Sequence, residues 1–177
     1  MSQSKQPSKS ESVSLKGIIL DLAEIIGAAL ALTFLLLIFI QPSIVEGSSM
    51  YPTLHHNDKM LLWKLGEFEK GDIIVFDSHD PENNKYVKRI IGTEGDHVVI
   101  AGNVVIVNNK IIEEPYINEV GFNGNVDMVV SEDYVFVLGD NRNHSNDSRA
   151  FGEIKLEDVD GKVVFNLNKV FRNLFSK

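Results

Sequence analysis

The sequence predicts an all-β, mostly antiparallel domain behind one N-terminal transmembrane helix, and three observations carry that prediction. From Ile25 to Ile40 the chain reads IIGAALALTFLLLIFI, with no charged residue. Beyond Pro42 it becomes a series of short β-branched runs separated by turn residues, which is strand chemistry. Between those runs no stretch shows the apolar spacing of an amphipathic helix.

In chain order, residues 1–16 come first: polar, Ser/Lys-rich, with Lys5, Lys9 and Lys16 against Glu11 alone. Nothing in them can pack a core, so they are expected to form a disordered cytoplasmic tail. The helix is expected over residues 17–41, long enough at ~1.5 Å per residue to cross ~30 Å of hydrocarbon. Asp21 and Glu24 fall in its first two turns, at headgroup level and near the positive end of the helix dipole. Lysines precede the helix and none follows it until Lys59. That asymmetry places the N-terminus in the cytoplasm and residues 42–177 outside, on a single-pass protein of the cell membrane. Two other readings compete. A buried core helix would carry a polar stripe, which residues 25–40 lack. A removable signal peptide fits Val45 and Gly47 as the small residues three and one before a cut, but its apolar core is usually only ~7–15 residues long.

The expected strands are DIIVF at 72–76, YVKRII at 86–91, HVVIA at 97–101, NVVIV at 103–107, YVFVLG at 134–139 and KVVF at 162–165. Gly71-Asp72, Pro81-Glu82-Asn83-Asn84, Gly95-Asp96, Gly102-Asn103 and Asn108-Asn109 supply the turns;. VVIAGNVVIV is the clearest hairpin. Residues 113–133, with Pro115, Gly121 and Gly124, have no clear period and are expected to be a variable connection that contacts substrate.

Composition narrows the chemistry. A chain of 177 residues has room for one anchored domain, residues 42–177. A formal net charge of −8 argues against nucleic acid, whose recognition rests on neutralising phosphates. With no cysteine, disulfides and cysteine-ligated zinc are excluded.

Three segments carry possible catalytic chemistry, each with a plainer reading beside it. Gly47-Ser48-Ser49-Met50-Tyr51-Pro52 brackets two hydroxyls between a flexible and a rigid residue, which also describes a turn. It lacks the G-x-S-x-G elbow of α/β-hydrolases. Lys88 lies in the run Tyr86-Val87-Lys88-Arg89-Ile90-Ile91, where alternation puts Tyr86, Lys88 and Ile90 on one face. A lysine activates serine only when neutral, and roughly one free lysine in 2,500 is neutral at pH 7, so burial must lower its pKa. The plainer reading is an edge-strand lysine that blocks aggregation. The third segment, Leu138–Arg149, runs from a strand end into a polar loop. His144, Ser145 and Asp147 are too nearly contiguous for a Ser-His-Asp triad, and Arg142 with no central glycine spoils a calcium loop. His55 and His56 are adjacent, so their side chains diverge from any one metal.

Together the motifs SSMYPTL at 48–54, KGDIIVF at 70–76, YVKRIIGTEGD at 86–96 and GDNRNHSNDSRAFG at 139–152, in this order behind one membrane helix, resemble bacterial type I signal peptidases over nearly the whole chain. The short domain is similar to the Gram-positive form. The resemblance implies a serine endopeptidase with Ser49 as nucleophile and Lys88 as general base, and neither metal nor organic cofactor. It makes Ser145 the hydroxyl that orients the lysine amine, and Asp140–Arg89 and Asp147–Arg149 charge pairs that support the site. Val45, Gly47, Met50, Tyr86 and Val87 are the candidates to line the substrate pocket. The implied partners are signal peptides of secreted preproteins, the lipid bilayer and the protein export channel. Some relatives place a serine where this chain has Gly47; here the oxyanion must rely on the Ser49 backbone N–H and another donor. A self-cleaving Ser-Lys repressor protease would need a DNA-binding domain where the helix stands. A tethered β-domain that only binds peptides would have no use for a buried lysine beside a serine.

Overall fold

A computed structural model of the chain describes residues 14–79, 85–117, 122 and 124–170. The tail ahead of Ser14, the expected turn at Pro81–Asn84 and Gly121 lie outside the described residues. The chain divides into two units, Met1–Ile38 and Phe39–Lys177.

The first unit is formed by helix α1, Leu15–Phe39, none of whose residues is buried. A core helix would bury one face. Its 25 residues rise roughly 37 Å at the usual pitch, and the helix is long and apolar enough to cross a membrane. It ends two residues before the expected boundary at 41. Ile40 and Gln41 already pair with Trp63 and Leu62, and Pro42 disfavours helical backbone at the residue before it.

The second unit is built on antiparallel strands: β1 Ile40–Ile44, β2 Lys59–Trp63, β3 Ile73–Asp77, β4 Lys85–Thr93, β5 His97–Ala101, β6 Val104–Val107, β7 Lys110–Ile111, β8 Asn125–Val129, β9 Tyr134–Leu138, β10 Ile154–Lys155 and β11 Val159–Asn166. Seven form one sheet in the order β1-β2-β11-β3-β4-β9-β10, and four form a second in the order β7-β6-β5-β8. All six expected runs are strands, and β5–β6 is the expected hairpin, with Val98 opposite Val107 and Ala101 opposite Val104. Its neighbouring turn uses Asn108 and Asn109, both at positive φ (51° and 63°), the pair of left-handed positions that tight hairpins require. Strands β1, β2, β7, β8 and β10 were not expected. Two of them are only two residues long. β8 falls within the stretch read as an irregular connection; it buries no residue fully and is held by its pairing with β5.

The hairpin packs on the large sheet through Val98, Ile100, Val105 and Val107 against Ile91, Phe136 and Leu138. Each such buried side chain contributes about 1.5–3 kcal/mol. A second cluster places Val45, Met50 and Leu54 with Met60, Leu62, Val75 and Val87, and so ties the loop after β1 to the sheet. The register of β4 against β9 starts at Arg89, opposite Leu138, and slips between Ile90 and Gly92. Among the described residues, 85–88 therefore pair with β3 alone. That leaves one backbone edge of β4 open beside Lys88.

Candidate active site

Ser49 sits in the loop between β1 and β2, and its neighbours hold it in place. Val45 and Met50 are almost wholly buried, while Ser48 is exposed and Ser49 half-buried. The loop is closed by the Val45 N–H donating to the Asp58 carbonyl and the Asn57 N–H donating to the Val45 carbonyl, both at 2.9 Å. From the other side Asn141 grips the nucleophile's backbone. Its N–H donates to the Ser49 carbonyl at 2.9 Å, and its Nδ2 donates to the Ser48 carbonyl at 3.0 Å. Gly139 makes this approach possible, since a Cβ there would lie 2.6 Å from the Ser49 carbonyl oxygen and 2.2 Å from Ser145 Oγ.

Lys88 comes from β4, opposite Ile74 of β3, and is 4% exposed. Its Nζ lies 2.9 Å from Ser49 Oγ and donates to the Val87 carbonyl at 3.0 Å. Burial lowers its pKa to about 8, against a smaller upward pull from the Asp147 carboxylate;. Near neutral pH a useful fraction of this amine is unprotonated, which an exposed lysine never achieves. The Tyr86 ring stands 5.1 Å from Nζ. The bond expected from Ser145 is not made. Ser145 Oγ is buried with no hydrogen-bond partner among the described residues, and the amine bonds instead to Ser49 and Val87.

Around the pair stands a shell of charge. Arg89 binds Asp140 through Nε at 2.8 Å and Nη2 at 2.7 Å, and donates from Nη1 to the Gly71 carbonyl at 2.8 Å. Arg149 binds Asp147 at 2.7 and 2.8 Å, and Asp147 also accepts the Gly139 N–H at 3.0 Å. Both pairs are bidentate, the geometry in which a guanidinium and a carboxylate fix each other's orientation. Sequence reasoning missed Asn141, Thr53, whose hydroxyl donates to Asp140, and Arg142, which is buried and pairs with Glu114. It also missed His56, whose Nδ1 accepts the Gly47 N–H at 3.2 Å. Only the three-dimensional path of the chain makes partners of such distant residues.

A groove of about 650 Å³ runs between β1 and the start of β4, with Pro42, Ser43 and Ile44 on one side and Lys85, Tyr86 and Val87 on the other. A contiguous hollow of about 350 Å³ shares Glu46, Lys85, Tyr86 and Val87 with it and reaches Gly47, Ser49 and Lys88. Of the residues expected along the pocket, Tyr86, Val87 and Gly47 line this groove. Val45 and Met50 line neither part; they belong to the core with Met60 and Leu62, and fix the loop rather than face the groove.

The sequence is similar to known proteins over most of its length. Residues 19–168 match the family model described as signal peptidase, peptidase S26. Signal peptidase I S of Bacillus subtilis (strain 168) is 40% identical over 80% of this chain and 84% of its own length. Signal peptidase IB of Staphylococcus aureus (strain N315) is 35% identical over 80% of this chain and 86% of its own. A signal peptidase I from Enterococcus faecalis V583 of known crystal structure is 33% identical, with a TM-score of 0.47 over 55% of this chain and 97% of that one. The match to the family model over most of the sequence establishes that the chain belongs to the signal peptidase family, peptidase S26.

Proposed function

We propose that this chain is a membrane-anchored endopeptidase that removes signal peptides from exported preproteins, with Ser49 and Lys88 as its catalytic dyad. The observation that carries the reading is a buried amine, its pKa lowered to about 8, 2.9 Å from a serine hydroxyl at the end of an open groove. Neutral Lys88 takes the Ser49 proton as Oγ attacks the scissile carbonyl, and returns it to the leaving amine as the C–N bond breaks. Water then hydrolyses the ester, its proton going to the same amine and from there to the departing Ser49. The N–H of Ser49 donates to no group among the described residues, so it is free to bind the oxyanion.

The open edge of β4 at residues 85–88 and the edge strand β1 face the groove with backbone groups that an extended substrate can pair with. Side chains one and three residues before the cut then enter the groove beside Tyr86 and Val87, which takes small ones. Helix α1 anchors the site at the membrane, with the tail in the cytoplasm and the β-domain outside, and so confines enzyme and preprotein to one surface. Retention of the segment is supported by the fold: a cut after Gly47 would remove β1, all five of whose residues pair with β2, and strip Val45 from the core.

The test is cleavage of a preprotein peptide by the full chain in detergent, read by mass spectrometry. With alanine at both positions a single cut is expected, and leucine or glutamate at the position before the cut should lower kcat/KM by roughly 100-fold. Indifference to that residue overturns the assignment.

Gly47 gives a finer check. Its φ is 81°, and an added Cβ would meet nothing within 4 Å, so the obstacle to a side chain is backbone strain rather than space. Left-handed backbone costs a non-glycine residue roughly 1–2 kcal/mol. Serine can relieve part of that by bonding locally, whereas valine's two branches cannot. Gly47→Val is therefore expected to lose roughly tenfold more kcat/KM than Gly47→Ser, on one peptide with folding checked by circular dichroism.

A further inference from the structure

Glu114 lies in the segment that leaves β7, remote in sequence from every catalytic motif. Its carboxylate is nearly buried, and it pairs with the fully buried guanidinium of Arg142, with Arg142 Nη1 donating at 2.9 Å. The same carboxylate accepts the Tyr116 hydroxyl at 2.8 Å. Two buried charges of this kind are costly unless each is fully met by the other, so removing one leaves its partner to find a new position.

From this carboxylate two connections lead to the nucleophile. Through Arg142, Nε donates to the Gly139 carbonyl at 3.0 Å, and the Arg142 carbonyl accepts from Arg149 at 2.6 Å. Through Tyr116, the ring lies 4.0 Å beneath the Arg89 guanidinium, which is bidentate to Asp140. Asp140 and Arg142 are the two neighbours of Asn141, the residue that holds the backbone carbonyls of Ser48 and Ser49. Glu114 thus reaches both flanks of the residue gripping the nucleophile. None of Glu114, Tyr116, Arg142 or Asn141 lines the groove.

We infer that Glu114 is a positioning residue for Ser49, acting through Arg142 and through the Tyr116–Arg89 stack to fix Asn141. The inference rests on the Ser49–Lys88 reading. Because these groups are away from the groove, their loss acts on the chemical step and leaves substrate binding alone. A displacement of about 1 Å at the reacting atoms can cost on the order of 100-fold in rate.

The experiment measures kcat and KM separately for the full chain in detergent, at least ten degrees below each variant's melting temperature. Glu114→Gln keeps the shape and removes the charge; it is expected to lower kcat by about 10- to 100-fold with KM within about twofold. Glu114→Asp should recover part of that loss. Tyr116→Phe, which keeps the ring under Arg89 and deletes one hydrogen bond, should lower kcat by about 2- to 5-fold. A lower melting temperature with the parent's kcat, or a rise in KM alone, overturns the inference. If Glu114→Gln does not fold, Glu114→Asp and Tyr116→Phe decide, and the parent's kcat in both overturns it. Ser49→Ala run alongside separates the two levels: an active Ser49→Ala removes the dyad itself, whereas an inactive one beside a fully active Glu114→Gln removes the role of Glu114 alone.

Discussion

Ser49→Ala is expected to lower preprotein cleavage by at least about 10⁴-fold, the scale on which loss of a nucleophile acts in hydroxyl-dependent acyl transfer. The change deletes the attacking oxygen and one hydrogen bond of the Lys88 amine, while the bond to the Val87 carbonyl survives. The loop's position does not depend on the hydroxyl. It rests on the burial of Val45, Met50 and Leu54 and on Asn141, which holds backbone carbonyls only. Melting temperature should therefore stay close to the parent's. Ser48→Ala is the control, because Ser48 is exposed and its carbonyl, the group Asn141 Nδ2 binds, is unchanged by the substitution. Cleavage at the parent's rate by Ser49→Ala, or comparable loss in Ser48→Ala, would assign the nucleophile elsewhere.

Which parts of this were legible in the sequence follows from the range of the forces involved. The β5–β6 hairpin was readable because its signals are local: alternating valines and isoleucines bracket Gly102-Asn103. Strand β8 was not, since its exposed, alternating residues Asn125–Val129 carry a weak pattern and owe their conformation to β5. The start of β1 at Ile40 was hidden inside an apolar run that also suits a helix; pairing with Trp63 and Leu62, more than twenty residues away, decides it. Ser49 and Lys88 were singled out by motifs whose spacing no local structure explains. Glu114, Tyr116 and Asn141 have no such mark. Their roles arise chiefly from contacts 27 to 93 residues apart along the chain, and no local pattern encodes them. Ser145 shows the converse, since the motif implied an orienting bond to Lys88 that the structure does not contain.

Lys88→Met is expected to abolish cleavage on the same scale as Ser49→Ala, yet to leave a more stable protein at neutral pH. Methionine fills nearly the same volume as the lysine stem and needs no hydration. The parent's folded lysine has a pKa of about 8 against 10.5 when unfolded, so the unfolded chain binds more protons between those values. Stability contributed by this group therefore rises with pH across that window, and below about pH 8 the folded state carries the whole cost of charging a buried amine, roughly 3 kcal/mol. Two hydrogen bonds are lost in the variant, each worth about 1 kcal/mol, so the net gain at pH 7 is about 1 kcal/mol. Urea midpoints at pH 7 and pH 10.5 measure it: Lys88→Met should lead at pH 7 and lose that lead by pH 10.5. The parent's kcat/KM should rise along one ionisation near pH 8, the free-enzyme value of the base. If that rising limb persists in Lys88→Met, or vanishes when His144 is replaced by alanine, another group accepts the proton from Ser49 and the buried amine has only a structural part.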